Sequence, residues 1–295
     1  MRLINYIKRN GFKASMVKIL RKIGYYNLKL RTAPIYRNPT EKELVNIEAE
    51  LNVLGVKLND AHPSPAAFDI FQQQNWFPSN YHGGIKSGVW KEKLLEHFLA
   101  SELLELMNYG KDDIYVDVAA SGSPWVKNLR DRKNIKAFAI DLDSNSSYYS
   151  DLDYYRIENA KSTSFADDSV KGVSLQCAYE MFNGNDDIKF IKELKRILVP
   201  GGKAIILPLY MHTHACAYSS PEYFGKNLSD ASAKEYVRFD CSGVHSARKY
   251  STETLQNRVL EHVVKSGMQY RIHVLRNKNL YGKGIYCHFI LEIEK

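Results

Sequence analysis

The chain has 295 residues, 44% of them hydrophobic and 25% charged, which is typical of one large globular domain with an appendage. A membrane span needs about 20 apolar residues, and no apolar run in the chain approaches that length. The four cysteines are scattered and form no CxxC pair, which indicates a reducing compartment rather than a disulfide framework. The net charge is +8, yet ten Lys and Arg and no acidic residue precede Glu41, so the remaining residues sum to −2. A nucleic-acid-binding face on the main body is therefore not expected.

Residues 2–30 carry apolar side chains at near-helical spacing, with lysines and arginines mostly between them. This pattern predicts a basic amphipathic helix that is interrupted near Gly11. Three interpretations stay open: a helix on an anionic membrane surface, a helix packed on the protein's own body, and a transit peptide. We expect a cytoplasmic protein in which residues 1–31 could make peripheral contact with the inner surface of an anionic membrane.

Residues 33–90 are expected to form an irregular cap with one helix over Glu41–Leu54. The cap is rich in proline and aromatic residues, and such aromatic residues more often belong to a core than to a ligand cage. A strongly amphipathic helix follows over Lys91–Tyr109 and leads into the first strand. We therefore predict two domains, namely a basic arm with its cap over residues 1–90 and a main domain over residues 91–295.

The central motif of the main domain is IYVDVAASGSPW at residues 114–125. A buried strand containing Asp117 is followed by a loop of small residues, Ala119–Ser123. Ser123 is then expected as the N-cap of a helix, with Pro124 at its first position. This arrangement lets a ligand approach the backbone of an open α/β sheet, although neither GxGxxG nor a P-loop is present.

The rest of the main domain alternates between buried strands and helices. Helices are predicted over Asp186–Leu198 and Thr252–Lys265, and residues 211–250 form a polar and aromatic insertion on the substrate side. Strands are predicted over Ile114–Val118, Ala137–Ile140, Tyr155–Ile157, Val170–Gln176 and Lys203–Leu209, with a terminal antiparallel pair over Gln269–Leu275 and Ile285–Ile293. A nicotinamide-binding fold would instead continue with a sixth parallel strand.

An acidic residue follows the second predicted strand. Asp141 lies 24 residues beyond Asp117, and in nucleoside-binding α/β units a carboxylate at this place accepts hydrogen bonds from ribose hydroxyls. Asp143 is the alternative. We prefer Asp141 because it follows the apolar run directly.

The stretch Ser164–Leu209 resembles the class I S-adenosylmethionine-dependent methyltransferases, in particular the type 11 enzymes. That family has a PF.D.SFD.V turn, a strand, a helix that ends in R.L.PGG, and a further strand. The residues that match are Phe165, Asp168, Ser169, Arg196, Leu198, Pro200, Gly201 and Gly202. The resemblance covers roughly residues 91–210, and the terminal strand pair corresponds to the family's usual ending. It implies an α/β fold: a Rossmann-like, doubly wound sheet of seven strands, mainly parallel, with a C-terminal antiparallel hairpin whose last strand lies beside the fifth, plus the N-terminal helical cap.

The resemblance also implies S-adenosyl-L-methionine as the cofactor, and it assigns residues of the first motif. Asp117 matches the motif's acidic residue, and Gly122 lies in the loop that follows. Small residues occupy the positions where the family usually has glycine, namely Ala119, Ser121 and Ser123. Small side chains preserve the close approach of the cofactor to the backbone.

Later motifs supply further expected contacts. Asp141 matches the ribose-binding acid, and Asn159 matches a position, usually Asp, that contacts the adenine amino group through an acceptor oxygen. Ala160 would offer its backbone N–H to the adenine. Gln176 ends the fourth strand beside the reacting methyl group, and Glu180 stands where many relatives carry a histidine.

Methyl transfer is an in-line displacement, so positioning is the enzyme's main contribution. A hydroxyl acceptor would also benefit from a general base. The candidates are His212, His214, His245 and Glu180, with Tyr210 behind them. His212 and His214 follow the carboxyl end of the fifth strand, where open α/β sheets bind ligands. Together with Cys216 they could also present three metal ligands, but without a second ligand cluster we predict no metal.

The sequence therefore predicts a methyltransferase that O-methylates a polar small molecule or a glycan, such as a bacterial surface glycan on a lipid carrier. The missing glycines leave open a catalytically inactive, methyltransferase-like binding subunit. A NAD-dependent oxidoreductase is a third interpretation, which the terminal hairpin disfavours. The expected partner is the acceptor itself and not a nucleic acid. The oligomeric state is not predicted.

Overall fold

The computed structural model describes residues 16–17, 19–20, 30, 32–120, 122–142, 149, 151–226 and 232–295. The predicted basic helix over residues 2–30 therefore lies almost entirely outside the described residues. The chain divides into two compact units, and the domain boundary predicted after residue 90 stays a prediction. The insertion unit comprises the described parts of Met1–Ile47, Glu180–Asn185 and Met211–Thr254, and the sheet unit comprises Glu48–Tyr179, Asp186–Tyr210 and Leu255–Lys295.

The secondary structure agrees in outline with the predicted elements. The helices are α1 (Glu41–Val53), α2 (Pro65–Gln73), α3 (Trp90–Leu103), α4 (Trp125–Lys133), α5 (Asp186–Ile197), α6 (Thr252–Leu255) and α7 (Glu261–Lys265), with a π-helical turn at Gln256–Leu260. The strands are β1 (Leu58–Ala61), β2 (Ile114–Val118), β3 (Lys136–Asp141), β4 (Tyr155–Ile157), β5 (Val170–Gln176), β6 (Leu198–Leu207), β7 (Cys216–Ser219), β8 (Lys234–Val237), β9 (Ala247–Lys249), β10 (Gln269–Leu275) and β11 (Phe289–Glu294). Among these described elements, no helix combines the length and apolar character needed to span a bilayer.

The sheet unit is built on eight strands in the order β1-β10-β11-β6-β5-β2-β3-β4. Strands β2 to β6 run parallel to their neighbours in this group, while β11 lies antiparallel between β6 and β10. The mainly parallel Rossmann-like sheet is therefore confirmed, and so is the position of the last strand beside the fifth predicted one. A sixth parallel strand next to β6, which a nicotinamide-binding fold would have, is not what the described sheet shows.

The predicted count of seven strands was one too low. The additional strand, β1, pairs parallel with β10 at the edge of the sheet. Its four residues, Leu-Asn-Asp-Ala, include no β-branched or aromatic side chain, so neither composition nor alternation indicates a strand.

Several predicted boundaries moved: the helix predicted over Lys91–Tyr109 ends at Leu103, and the last strand begins at Phe289 instead of Ile285. The starts of α4 and β6 moved as well. Helix α4 begins at Trp125, with Pro124 as its N-cap, one residue later than expected, and the Ser123 hydroxyl accepts the Trp125 N–H at 3.3 Å. Strand β6 already begins before the PGG turn. Gly201 has a φ of +77°, and a Cβ on Gly202 would lie 2.9 Å from the Val199 carbonyl oxygen, so this turn requires glycine.

The aromatic residues of the cap belong to the core of the sheet unit, as expected. Phe68, Phe71 and Trp76 are almost fully buried together with Trp125, the first residue of α4. The ring centroids of Trp76 and Trp125 lie 5.1 Å apart, edge to face. Each such side chain contributes about 1.5–3 kcal/mol by burial. This packing fixes the start of α4 and thereby the small-residue loop that precedes it.

The insertion unit contains a small sheet of its own, which the sequence did not predict. Strand β7 pairs parallel with β8 and antiparallel with β9. The Tyr36 N–H donates to the Val237 carbonyl at 2.9 Å, and the ring centroid of Tyr36 lies 4.5 Å from that of Tyr218. A segment just before α1 thus packs on the edge and face of this sheet.

Candidate cofactor site

A cavity of about 300 Å³ opens in the sheet unit at the carboxyl ends of β2 and β5. Its volume is at the lower end of the range for small-molecule sites. Three predicted cofactor residues line it, namely Asp117, Ala119 and Gln176. The other lining residues are Tyr81, His82, Lys93, His97, Ala120, Ser123 and Cys177.

The small-residue loop reaches the cavity through an unusual backbone. Ala119 has a φ of +57°, in the left-handed region that favours glycine, and holding a residue with a Cβ there costs about 1 kcal/mol or more. The loop is held in place because the Tyr155 hydroxyl donates to the Ser123 carbonyl at 2.5 Å and the Ala120 N–H donates to Ile140 at 3.3 Å. Alanine here therefore takes a backbone conformation that glycine would adopt without strain.

Asp117 is a buried acid with unused hydrogen-bonding capacity. Its Oδ1 accepts a long hydrogen bond from the Ser174 hydroxyl (3.5 Å), and no partner for its Oδ2 is found among the described residues. Burial, together with the nearby charge of Asp141, raises the pKa of Asp117 to about 8. Burial thus favours the protonated carboxyl, whereas a cationic ligand in the cavity that it faces would favour the carboxylate.

The remaining cofactor candidates follow the neighbouring strands at the same edge of the sheet. Asp141 is the last residue of β3 and pairs in register with Ile157. Beyond β4, the Asn159 side-chain oxygen accepts the Lys161 N–H at 3.2 Å, and Ala160 is buried. These positions agree with the expected order of ribose and adenine contacts, which stay predictions.

Other candidates in this region give less information. Gly122 lies half-buried in the turn before α4. Ser121, and Asp143 as the alternative to Asp141, fall outside the described residues.

A charged cluster that the sequence analysis missed lies beside the cavity. Lys93 Nζ donates to Cys177 Sγ (2.6 Å) and to Glu96 (2.9 Å), and the thiol donates to Glu96 at 3.2 Å. Although burial opposes the charged form, the charges of Glu96 and Cys177 hold the pKa of Lys93 well above its ordinary value. The hydroxyls of Tyr210 and Tyr286 lie 3.1 and 3.5 Å from the same sulfur.

Two features mark this cluster as a candidate for function. Cys177 has a φ of +51° directly after β5, and such backbone outliers concentrate at functional sites. Lys93 and Glu96, like Glu92 and His97, are polar residues among the apolar side chains that α3 buries. That interruption was the signal in the sequence that could have pointed to them.

Gln176 is oriented by buried neighbours. Its amide lies 3.0 Å from the Ser174 hydroxyl and 3.4 Å from His97 Nδ1, while His97 Nε2 lies 3.2 Å from the Tyr81 hydroxyl. Burial and the charges of Lys93 and His82 hold the pKa of His97 well below its ordinary value. The neutral imidazole can therefore accept from Gln176 and donate to Tyr81.

The four predicted catalytic residues all belong to the insertion unit, and their roles stay predictions. Burial, with the charge of His214, lowers the pKa of His212 to about 4. His214 Nε2 lies 2.8 Å from the Tyr236 hydroxyl. The ring of His245 lies against Tyr223, at 3.9 Å between centroids, and Glu180 is buried.

The residues that carried the resemblance brace a turn rather than line the cavity. Arg196 donates to the Phe165 carbonyl (2.7 Å), to Asp167 (2.8 Å) and to Glu193 (2.6 Å). It therefore ties the end of α5 to the segment that enters β5.

Comparison with known proteins agrees with this architecture. Residues 116–206 match the family model described as a methyltransferase domain. The resemblance to the type 11 methyltransferases is thereby confirmed over these residues, and S-adenosyl-L-methionine is the cofactor that it implies. No curated protein sequence matches the chain.

Three of the solved structures to which this chain is similar are methyltransferases. An S-adenosylmethionine-dependent methyltransferase from Mesorhizobium loti is 12% identical, with 71% of this chain and 99% of that one covered and a TM-score of 0.43. One from Methanosarcina mazei is 15% identical, with 63% and 94% covered and a TM-score of 0.39. Geranyl diphosphate C-methyltransferase from Streptomyces coelicolor A3(2) is 13% identical, with 72% and 85% covered and a TM-score of 0.38.

Proposed function

We propose that the protein is an S-adenosylmethionine-dependent methyltransferase whose cofactor lies in the cavity at the ends of β2 and β5. The observation that carries this proposal is Asp117, a buried acid that lines the cavity with one oxygen lacking a partner among the described residues. A buried polar atom of this kind is costly unless a ligand satisfies it. The cofactor's ammonium group and ribose hydroxyls are donors of the required type.

The chain's own residues would hold the cofactor by its polar ends. When bound, S-adenosylmethionine supplies a methyl group on a positively charged sulfur. Asp117 would accept from the ammonium group, and Asp141 from the ribose hydroxyls. The left-handed conformation of Ala119 keeps the loop backbone accessible, because the side chains beside it are small. Gln176, fixed by His97 and Ser174, would line the reacting end.

The acceptor end of the site is proposed to lie at Lys93 and Cys177. Cys177 follows Gln176 directly, and the Lys93 ammonium is held there by the buried Glu96 carboxylate. A fixed cation with two tyrosine hydroxyls nearby favours an oxygen that carries negative charge. This supports O-methylation of a polar small molecule or glycan that bears an acidic group. A carboxylate acceptor would need no general base.

Calorimetric titration tests the proposal. We expect S-adenosylmethionine and S-adenosylhomocysteine each to bind at one site per chain and NAD not to bind. Binding of NAD alone would favour the oxidoreductase. Absence of binding by all three would favour the catalytically inactive subunit, for which the missing glycines are the motivating observation.

The acceptor is tested with methyl-labelled S-adenosylmethionine and paired uronic acid and neutral hexose saccharides. Methyl esters release methanol in base and ethers do not, so the product identifies the acceptor oxygen. The double variant Lys93→Met with Glu96→Gln removes the cluster's charges as a pair and should abolish ester formation while retaining cofactor binding. Lys91→Met, at an exposed position of α3, is the matched control. Equal methylation by the double variant and by this control would contradict the assignment.

The N-terminal arm carries a separate proposal that rests on the sequence alone. Residues 1–31 carry nine Lys and Arg and no acidic residue, so they would attract anionic headgroups; each cation near the surface is worth about 1 kcal/mol, and salt would screen this attraction. The protein should therefore co-sediment with anionic but not neutral vesicles and be released at high salt, as expected of a peripheral protein at an anionic membrane surface. Removal of residues 1–31 should abolish co-sedimentation without affecting cofactor binding. Equal co-sedimentation of both forms would contradict the proposal.

A further inference from the structure

Three potential metal ligands converge in the insertion unit. His212, His214 and Cys216 lie on the segment that leads into β7, where the chain bends at Thr213 and His214. One ligand atom from each residue lies within 4.8 Å of the others. His212 and Cys216 are buried and His214 is half-buried. We propose that these three side chains form a zinc site, separate from the cofactor cavity.

Hydrogen bonds orient both imidazole rings. The Tyr236 hydroxyl engages His214 Nε2 at 2.8 Å. The Nδ1 atoms of both rings face the Thr213 hydroxyl, at 3.3 and 3.2 Å. Histidines that bind metals characteristically use one nitrogen for the metal and the other for such an outer partner. Tyr236 is such an outer partner for His214, so a metal would take Nδ1 of His214 in place of the Thr213 hydroxyl.

The third donor is the sulfur of Cys216. This thiol is fully buried, and no hydrogen bond to its sulfur is seen among the described residues. Its partners in register on the neighbouring strands are Lys234 and Lys249. A metal would take this thiol as the thiolate, and its binding would release the thiol proton. The positive charges of the two lysines oppose binding of a metal cation. The site therefore needs the negative charge of the Cys216 thiolate in addition to the two imidazoles.

The donor set determines the class of metal. Two imidazoles and one thiolate suit zinc, whereas magnesium and calcium prefer oxygen ligands. Zn–N bonds are near 2.0 Å and Zn–S bonds near 2.3 Å, so two ligand atoms bound to the same zinc ion lie roughly 3.5 Å apart. Side-chain movements of about 1 Å would bring the three ligand atoms to that separation. Three protein ligands leave a fourth position for water. In this role His212 and His214 are ligands, which excludes them as the general base.

Cobalt substitution tests this site without any assay of activity. The full-length protein, freed of metal by a chelator, is titrated with Co²⁺, which gives a thiolate-to-cobalt charge-transfer band and strong visible bands when bound tetrahedrally. We expect both sets of bands to saturate at one equivalent and to disappear when Zn²⁺ is added. Saturation without the charge-transfer band would overturn the proposal.

Variants identify the ligands. Cys216→Ser should abolish the charge-transfer band, whereas Cys241→Ser, a half-buried cysteine of the same unit outside the cluster, should retain it. Because Cys216 is buried, His214→Ala at a half-buried position provides a second variant, and we expect it to weaken Co²⁺ binding at least tenfold. A band that persists in a folded Cys216→Ser protein, or cobalt affinity unchanged in His214→Ala, would contradict the zinc site.

Discussion

Two parts of the sheet unit relate differently to the family pattern. The segment from Phe165 to Gly202 keeps the pattern, and its recognisable residues brace the fold: Arg196 ties α5 to the turn before β5, and Gly202 fits where a Cβ would meet the backbone. The loop Ala119–Ser123 departs from the pattern at every expected glycine, yet it lines the cavity. The motif that is easiest to recognise in the sequence thus braces the fold. The proposed cofactor region, by contrast, is recognised from its geometry.

If the cofactor lies in this cavity, a missing glycine pattern does not by itself remove a cofactor site. Ala119 already has the left-handed conformation for which glycine is usually chosen. Asp117 stays buried at the end of β2 with an oxygen available to a ligand. If this interpretation is right, substitutions in the two regions should affect different properties.

The largest expected effect is the pH dependence of stability that Asp117 imposes. Its pKa is about 8 in the folded protein and near 3.8 when unfolded, so the folded state retains a proton that the unfolded state has lost. Stability should therefore fall as pH rises between about 4 and 8, by roughly 1 kcal/mol per pH unit. Asp117→Asn cannot ionise and should remove this slope.

Thermal melts at pH 5 and pH 8 measure that slope. The difference between wild type and Asp117→Asn isolates the contribution of Asp117 from other groups, such as Glu92, whose pKa burial and Glu96 also raise to about 8. Asp112→Asn, at an exposed position, controls for the change in charge. Parallel pH profiles for wild type and Asp117→Asn would contradict the burial argument.

In the bracing segment, Arg196→Met should destabilise the protein by about 2–4 kcal/mol. The substitution breaks hydrogen bonds to a backbone carbonyl and leaves the largely buried Glu193 without its guanidinium partner. Denaturant unfolding measures the loss, and Lys192→Met, an exposed residue of the same helix, should lie within 0.5 kcal/mol of wild type. The folded variant should still bind S-adenosylhomocysteine normally. If the variant instead kept normal stability and lost S-adenosylhomocysteine binding, Arg196 would act in cofactor binding and not in bracing the fold.

In the cofactor region, Asp141→Ala should weaken S-adenosylmethionine binding by about 1–3 kcal/mol, because the ribose hydroxyls lose their acceptor. Calorimetry would record roughly a 5- to 150-fold increase in Kd. Unchanged affinity would argue for Asp143 instead, and Asp143→Ala is the matched comparison.

The smallest expected effect comes from restoring a glycine. Ala119→Gly removes the strain of an alanine in the left-handed backbone conformation, but it also increases the conformational entropy of the unfolded chain. The free energy of unfolding should therefore rise by at most about 1 kcal/mol. Cofactor affinity should stay within a few-fold of wild type. A gain of a hundredfold in affinity would show instead that the alanine blocks the site.

The sequence-based prediction was accurate where local sequence determines an element and failed where contacts between distant residues determine it. Strands β4, β5 and β10 were predicted with their observed bounds because turn residues flank their apolar runs. The insertion sheet was missed because its strands have only three or four residues and are rich in polar side chains. Short strands of this kind depend on tertiary partners rather than on local propensity.

The site shows the same limit. Asp117, Ala119 and Gln176 follow predicted strands and were placed correctly at the cavity edge. The contact between Lys93 and Cys177 joins residues 84 positions apart, and no local pattern encodes such a contact. Their chemistry became visible only when the fold brought α3 to the end of β5.

A crystal structure of the protein bound to S-adenosylhomocysteine tests the central claim most directly. The account predicts that the ligand occupies the cavity at the ends of β2 and β5, with a donor group within hydrogen-bond distance of Asp117 Oδ2 and the ribose at Asp141. S-adenosylhomocysteine bound elsewhere on the chain, or bound in the cavity without contact to Asp117, would contradict the account.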